Sequence, residues 1–381
     1  MSLISHSTAS SSSSSRNHKI CLVSEFQRGC FDYTYEVFVI DLGSCSGGRQ
    51  RRRGPRQFRN PLFQIPKYFP ISMGFFAFQS SIYFLGGYRA FEAKVILPTD
   101  VFVYDTSSCG STIKKVSGMN RGKCYPVIIG PVDGKFYVIS KCLVYRDFEK
   151  FDPKLGSWDL LCQPPVTYRP FPDEVNEYCI SAYALSNDRK ILMSTPSGFF
   201  SYDIDMDNWY FNPEASIPFG PSYMEIEIPS ECAVSMGGDR FLGFIKEEED
   251  EAEDEEDCHV VLGTYRYNSN EHTWDDFQHI YAWPMKYETP VYPMSMSMSL
   301  GDDLFCVIVS EYDIDSNTHC VSIKVFGDGP KFKCLHSRQY KEEYKMKCCV
   351  KNIAAAFPWD SLWCPFPFDM DTNFHLLFGG S

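Results

Sequence analysis

The sequence predicts an all-β chain closed into a ring of repeated units, and three observations carry that reading. A short apolar strand that runs into a turn occurs six times, ending in an aromatic and then a polar residue in four of the copies and in close variants (Ile40-Asp41, Phe326-Gly327) in the other two. The copies are Val37–Asp41, Val101–Asp105, Phe148–Asp152, Phe199–Asp203, Thr264–Asn268 and Ser322–Gly327. Their last positions step by 64, 47, 51, 65 and 59 residues, a recurrence that fits several short strands per period and a toroidal β-repeat. The second observation is composition: 31 Phe and 23 Tyr among 381 residues suit strands, and 44% apolar content excludes global disorder. The third is that no stretch carries convincing helical periodicity. Gln339–Lys347 is charged and is read as one turn of helix at most.

Taken in order, residues 1–17 are Ser-rich low complexity and read as a disordered tail, although Ser-rich and acid-poor also describes an organelle transit peptide. Two strands follow, Ile20–Phe26 and Tyr35–Leu42. A Gly/Pro-rich basic loop at 47–59 holds six arginines, which suits a solvated insertion, a nuclear-localisation patch or an RNA contact. The clearest unit spans 72–125. Its strands are Met73–Phe78, Ser81–Leu85 (closed by Gly86-Gly87), Val101–Tyr104 and Thr112–Val116. The second unit, 127–165, is divided into Val127–Ile129, Gly134–Ser140, Leu143–Asp152 and Ser157–Leu161, with Asp133-Gly134 as a hairpin signal. The third runs 178–218 and the fourth 232–283, the latter interrupted by an acidic loop at 247–257. The fifth runs 294–339. The sixth unit is assembled from both chain ends, the N-terminal strands completing a blade begun by Asn352–Phe357 and Phe374–Phe378, which removes an exposed sheet edge.

At Gly86-Gly87, at the Tyr that precedes each turn, and at Trp158, Trp209 and Trp274, each six residues beyond Asp152, Asp203 and Asn268, the sequence resembles the kelch repeat. Ile113 and Phe332 stand in the tryptophan's place in two other units. The glycine pair is a place for positive φ and close strand approach. Residues 18–381 are covered by the resemblance, which is degenerate, since only Gly86-Gly87 shows the glycine pair where it is expected. The texture is similar to plant kelch-type proteins related to F-box proteins. The resemblance implies a six-bladed kelch-type β-propeller and an adaptor or substrate-recognition role related to F-box/kelch ubiquitin-ligase receptors. It departs from the family in one respect: seventeen Ser-rich residues stand before the first strand, where the family carries a helical F-box.

The formal net charge is −13, which argues against general binding of nucleic acid or anionic membranes by the whole body. Ten of the acids lie in the 247–257 run, read as a solubilising loop or as a docking surface for a basic partner. The sixteen cysteines are scattered, without a C-x-x-C motif, and read as reduced thiols in a cytosolic or nuclear protein. Cys306, Cys320, Cys334 and Cys348 recur every 14 residues, which is read as strand spacing or chance. No apolar run spans a bilayer.

Chemistry-bearing constellations are few. Alternating Met294, Met296 and Met298 read as one apolar face of a strand in preference to a Cu(I) site. Cys258-His259 and His319-Cys320 each place neighbours on opposite strand faces, unsuited to sharing a metal. No nucleophile elbow or P-loop occurs. The chain is therefore expected to be a non-enzymatic module with no metal or cofactor that binds other proteins, ubiquitin-ligase components among them. Tyr88, Arg89, Phe91, Arg146, Arg169 and Phe171 are its expected anchors, because arginine and aromatic residues dominate binding surfaces. The competing readings are a propeller enzyme of the galactose-oxidase-like class and a nuclear RNA-associated scaffold using the arginine loop.

Overall fold

The structure is a computed structural model. It describes residues 17–27, 33–44, 60–91, 94–108, 110–166, 178–213, 231–236, 238–246, 259–269, 271, 273–284, 294–301, 303–313, 318–327, 333–343 and 350–358. Among these residues the regular elements are strands and one 3-10 turn, and no helix is long and apolar enough to cross a membrane.

The recurring motif of the sequence is a hairpin with a side-chain lock. Strand β12 (Glu149–Asp152) pairs with β13 (Ser157–Leu160), placing Phe151 opposite Trp158. Strand β16 (Gly198–Asp203) pairs with β17 (Asn208–Asn212), placing Tyr202 opposite Trp209. Strand β20 (His259–Asn268) pairs with β21 (Thr273–Pro284), placing Tyr267 opposite Trp274. Ring centroids in these pairs lie 4.6, 5.1 and 4.8 Å apart. The polar residue after each aromatic ties down the turn, because a short Asx side chain accepts backbone N–H groups two or three residues on. Asp152 Oδ1 accepts from Lys154 and Leu155, Asp203 Oδ1 from Asp205 and Met206, and Asn268 Oδ1 from Glu271. The six-residue step from Asx to Trp is thus the length of one locked turn plus one strand position.

Each such hairpin is the outer half of a four-stranded antiparallel meander. Strand β10 (Pro126–Val132) and β11 (Lys135–Ser140) precede β12 and β13 in a sheet ordered as the chain runs. An earlier meander joins β4 (Gly74–Phe78), β5 (Ser81–Leu85), β8 (Val101–Asp105) and β9 (Lys114–Val116). A small hairpin of β6 (Arg89–Phe91) and β7 (Lys94–Ile96) is inserted between its second and third strands. The last meander comprises β22 (Met294–Gly301), β23 (Leu304–Asp313), β24 (Thr318–Gly327) and β25 (Lys333–Glu343). Here the expected helical turn at 339–347 is corrected over its described part: Lys333–Glu343 is an outermost strand whose Gln339 to Glu343 pair with Ser322 to Thr318, and 344–347 lie outside the described residues.

The ring is closed by the chain ends. Strand β1 (Asn17–Gln27) pairs on one side with β2 (Tyr33–Ser44) and on the other with β26 (Val350–Pro358), and β3 (Phe63–Ile65) completes the sheet. The C-terminal strand is innermost and three N-terminal strands lie outside it. The Phe374–Phe378 strand expected in this blade lies outside the described residues. First strands then adjoin around a circuit that returns to its start: β26, β4, β10, β14 (Ala182–Leu185), β18 (Glu231–Ser235), β22 and β26 again. The arrangement is an all-β propeller.

The expectation of six separate blades is corrected. Four sheets are separate four-stranded blades. The other two meanders form one eight-stranded sheet in which β17, β16, β15 (Lys190–Thr195) and β14 continue into β18, β19 (Arg240–Lys246), β20 and β21. The joint is a parallel pairing of β14 with β18, aligning Ala182 with Glu231 and Ala184 with Ala233. The buried alanines are small enough for neighbouring first strands to approach to ladder distance.

Both faces of a blade are buried against its neighbours, so strands read as continuous apolar runs. In β1, Ile20 and Leu22 pack with Ile308 and Ile323 of the last meander, while Cys21 and Val23 pack with Phe75 and Phe84 of the next. Met296 and Met298 of the alternating stretch face the first of these seams. Cys306, Cys320 and Cys334 sit on three successive strands of one meander.

Candidate functional site

The topology sorts the connections onto two faces. Turns between first and second strands and between third and fourth strands lie on one, the hairpin face. Connections between second and third strands, and between successive meanders, lie on the other, the connection face. The described residues among the expected anchors all belong to the connection face.

That face is built on a buried ion pair. Lys123, in the segment leading into β10, and Glu149, at the start of β12, meet at 2.7 Å with neither side chain exposed. Glu149 also accepts the backbone N–H groups of Asn120 and Arg121 and the Asn120 amide. A buried carboxylate with this many donors is fully compensated. It therefore fixes the path of 120–123 across the second meander's exit. Asp147, two residues earlier, accepts from Ser140 N at 2.9 Å and from the Ser140 hydroxyl. Burial pushes its carboxyl above the ordinary value, while the Lys123 charge and the Ser140 bonds pull the other way.

These fixed points shape a turn that the sequence reading missed. Leu143–Asp152 was expected as one strand. Instead Leu143–Tyr145 is a 3-10 turn, Arg146 takes left-handed backbone with φ of 50°, and the strand begins at Glu149. The reason is polar: the Asp147 side chain takes the Ser140 N–H, so the pairing of β11 with β12 starts only at Val138 and Glu149.

The exposed residues above this scaffold are contiguous. Arg121 donates from Nη1 to the Arg146 carbonyl, bringing two exposed arginines together. Tyr145 is 45% exposed, and its hydroxyl hydrogen-bonds the Cys124 sulfur. Burial, with Asp147 and Cys142 nearby, pushes the Cys124 thiol up to about 11. Tyr125, also left-handed with φ of 48°, lies against Tyr88, ring centroids 5.5 Å apart and hydroxyls at 3.4 Å. Tyr88 is held by paired backbone bonds to Ile71, and Arg89 follows it, exposed, at the base of the inserted hairpin. Gly86 and Gly87 permit this approach. Both have positive φ, and a Cβ on Gly87 would stand 2.2 Å from the Ile71 carbonyl oxygen.

Of the expected anchors, Tyr88, Arg89 and Arg146 therefore share one face. Phe91 is in the inserted hairpin, its side chain outside the described residues, as are Arg169 and Phe171 altogether. Arg121, Tyr125 and Tyr145 were not singled out. The usable signal was Met119–Tyr125, where arginine, lysine and tyrosine surround a glycine directly before a strand. Among the described residues no three His, Cys, Asp or Glu side chains converge as metal ligands do. The basic loop joins β2 to β3 and the acidic loop joins β19 to β20, and both lie outside the described residues.

The chain is similar to several solved structures at low identity. The structure of YjhT matches 70% of this chain and 84% of its own length, with 12% identity and a TM-score of 0.40. A fungal alcohol oxidase of the AA5 family in complex with copper matches 83% of this chain and 68% of its own, with 12% identity and a TM-score of 0.41. A PL25 ulvanlyase matches 81% of each chain, with 11% identity and a TM-score of 0.39. The propeller arrangement rests on the strand circuit, and likenesses at this level carry no argument about activity. No curated protein matches the sequence. Residues 16–285 match the family model described as protein of unknown function (DUF1668), and the chain belongs to that family.

Proposed function

We propose that this chain is a kelch-type propeller and that it acts as a non-enzymatic protein-interaction module. Its docking surface is the connection face around Tyr88, Arg89, Arg121, Tyr125, Tyr145 and Arg146, and it takes a carboxylate-bearing segment of a partner protein. The observation that supports this most is the pairing of Arg121 with the Arg146 backbone beside exposed Tyr145, over a buried ion pair. Tyrosine side chains lose little freedom on binding, and the planar arginine fork matches a carboxylate. Tyr125 and Arg146 hold left-handed backbone without being glycine, a cost that tends to collect at binding sites. The adaptor form of the reading, related to F-box/kelch ubiquitin-ligase receptors, follows from the kelch resemblance.

The test is affinity purification with the full chain and with an Arg121→Ala/Arg146→Ala variant. Proteins recovered with the former and lost with the latter, in a salt-sensitive way, support the surface. Identical recovery by both overturns it. Cullin-ligase subunits among the lost proteins support the adaptor form, and their consistent absence removes it.

A further inference from the structure

Beneath Tyr145 and Arg146, two thiols from separate segments face one another. Cys142 follows β11 and Cys179 precedes β14. They form an isolated antiparallel bridge flanked by a 2.8 Å bond from Ile180 N to the Lys141 carbonyl. A bond in that position leaves the two cysteines directly opposite at a non-hydrogen-bonded site, where Cα atoms stand about 4.5 Å apart. Disulfides bridge Cα separations of roughly 4.4–6.8 Å. The side chains already meet, with the two sulfurs sharing a hydrogen bond, and both are thiols.

The surroundings distinguish the partners. The hydrogen bond from Cys142 and the charge of Lys141 hold the Cys179 thiol below its ordinary value, against burial and the nearby Cys124. The same bond, together with burial and the charges of Cys179 and Asp147, pushes Cys142 upward. Cys179 is thus the nucleophile and Cys142 the resolving thiol. Both are nearly inaccessible, at 1% and 4% exposure, so only a small oxidant suits the pair.

We propose that Cys142 and Cys179 form a reversible dithiol–disulfide site that takes hydrogen peroxide as its oxidant and staples one meander to the next beneath the docking face. The Cys179 thiolate attacks one peroxide oxygen. A sulfur–oxygen bond forms, the oxygen–oxygen bond breaks, and the departing hydroxide takes the proton that Cys179 had released, giving water and a sulfenic acid. The Cys142 sulfur then attacks Cys179 Sγ. The sulfur–sulfur bond forms, the sulfur–oxygen bond breaks, and the hydroxide leaves as a second water with the Cys142 proton. Two thiols are oxidised, one peroxide is reduced, and an external dithiol reverses the change. The bond crosses a seam between meanders directly under the Tyr145–Arg146 turn.

The test is peroxide treatment of the folded full chain, alkylation of the remaining thiols and peptide mapping. The expected result is one cross-link per chain joining the peptides of Cys142 and Cys179, reversed by dithiothreitol. Cys142→Ser should leave Cys179 as a sulfenic acid, read as the gain of one oxygen on its peptide, and Cys124→Ser should cross-link as the parent does. Recovery of both peptides alkylated after peroxide, with circular dichroism unchanged, overturns the proposal. So does a cross-link that joins Cys124 to Cys142 instead. If Cys142→Ser does not fold, mapping of the parent chain decides alone. The outcome is independent of whether the face above binds a protein.

Discussion

On the connection face Lys123 and Glu149 meet at 2.7 Å with no exposed surface. On the hairpin face Arg189 reaches Asp133 at 2.8 Å and Asp205 at 2.9 Å, with all three side chains more than a third exposed. Each arrangement joins parts of the chain far apart in sequence, and the distances differ by no more than 0.2 Å. The surroundings differ. Water and salt screen the Arg189 cluster, and its long side chains give up freedom to hold one geometry, so exposed pairs add little. Lys123 and Glu149 have no water to fall back on, so removing one strands the other and also frees the Asn120 and Arg121 donors. Contact distance alone does not tell which charges hold the structure.

Four measurements can break or sharpen that contrast. The largest effect is expected from Glu149→Ala, which leaves Lys123 buried without its partner and should cost about 3–5 kcal/mol in urea denaturation. A loss no larger than that of an exposed pair would end the distinction. Next comes Lys141, 4% exposed, whose amine burial pulls down to about 8. Its folded value lies below the unfolded one of about 10.5, so its contribution is full above that pH and is lost as pH falls through 8. Lys141→Met should flatten a decline of at most about 1.4 kcal/mol per pH unit across that window and leave the protein no less stable at neutral pH. A parent chain whose urea midpoint does not fall over this window would contradict the burial argument. Trp209→Phe keeps a six-membered aromatic ring but removes the five-membered ring and its 2.8 Å bond from Nε1 to the Cys162 carbonyl in the preceding meander, a loss of at least about 1 kcal/mol. Thermal melting of Trp209→Phe beside Trp158→Phe, which removes the equivalent bond to Ser117, checks whether the seams are alike. The smallest effect is expected from Arg189→Ala, whose midpoint should match the parent's in high salt and differ only slightly without it.

What the sequence disclosed and what it hid divide along similar lines. The outer hairpins were legible because everything that makes them lies within eight residues: an aromatic, an Asx lock and a tryptophan, as in Phe151, Asp152 and Trp158. The closing blade was legible because the apolar runs at Ile20–Phe26 and Asn352–Phe357 each need a partner. The Leu143–Tyr145 turn was hidden because it is imposed by a side-chain bond, that of Asp147 with Ser140, and an apolar run ending in Phe151 reads locally as strand. The merging of two meanders was hidden for a related reason. Ala182, Ala184 and Ala233 look like ordinary strand residues until their strands are neighbours. Likewise, Tyr88 and Arg146 stood out as arginine and aromatic loop residues, whereas Arg121 and Tyr145 gained their place only through contacts with distant segments.

The clasp that closes the ring has a cost in time. Cys21 pairs with Phe357, so more than three hundred residues leave the ribosome between β1 and its inner neighbour. At about 5–20 residues per second, roughly tens of seconds pass with that edge unpaired. During this interval Ile20–Val23, a run buried on both sides in the finished molecule, is open to any extended chain nearby. The yield of native protein should therefore depend on translation speed and chaperone supply more steeply than the final stability suggests.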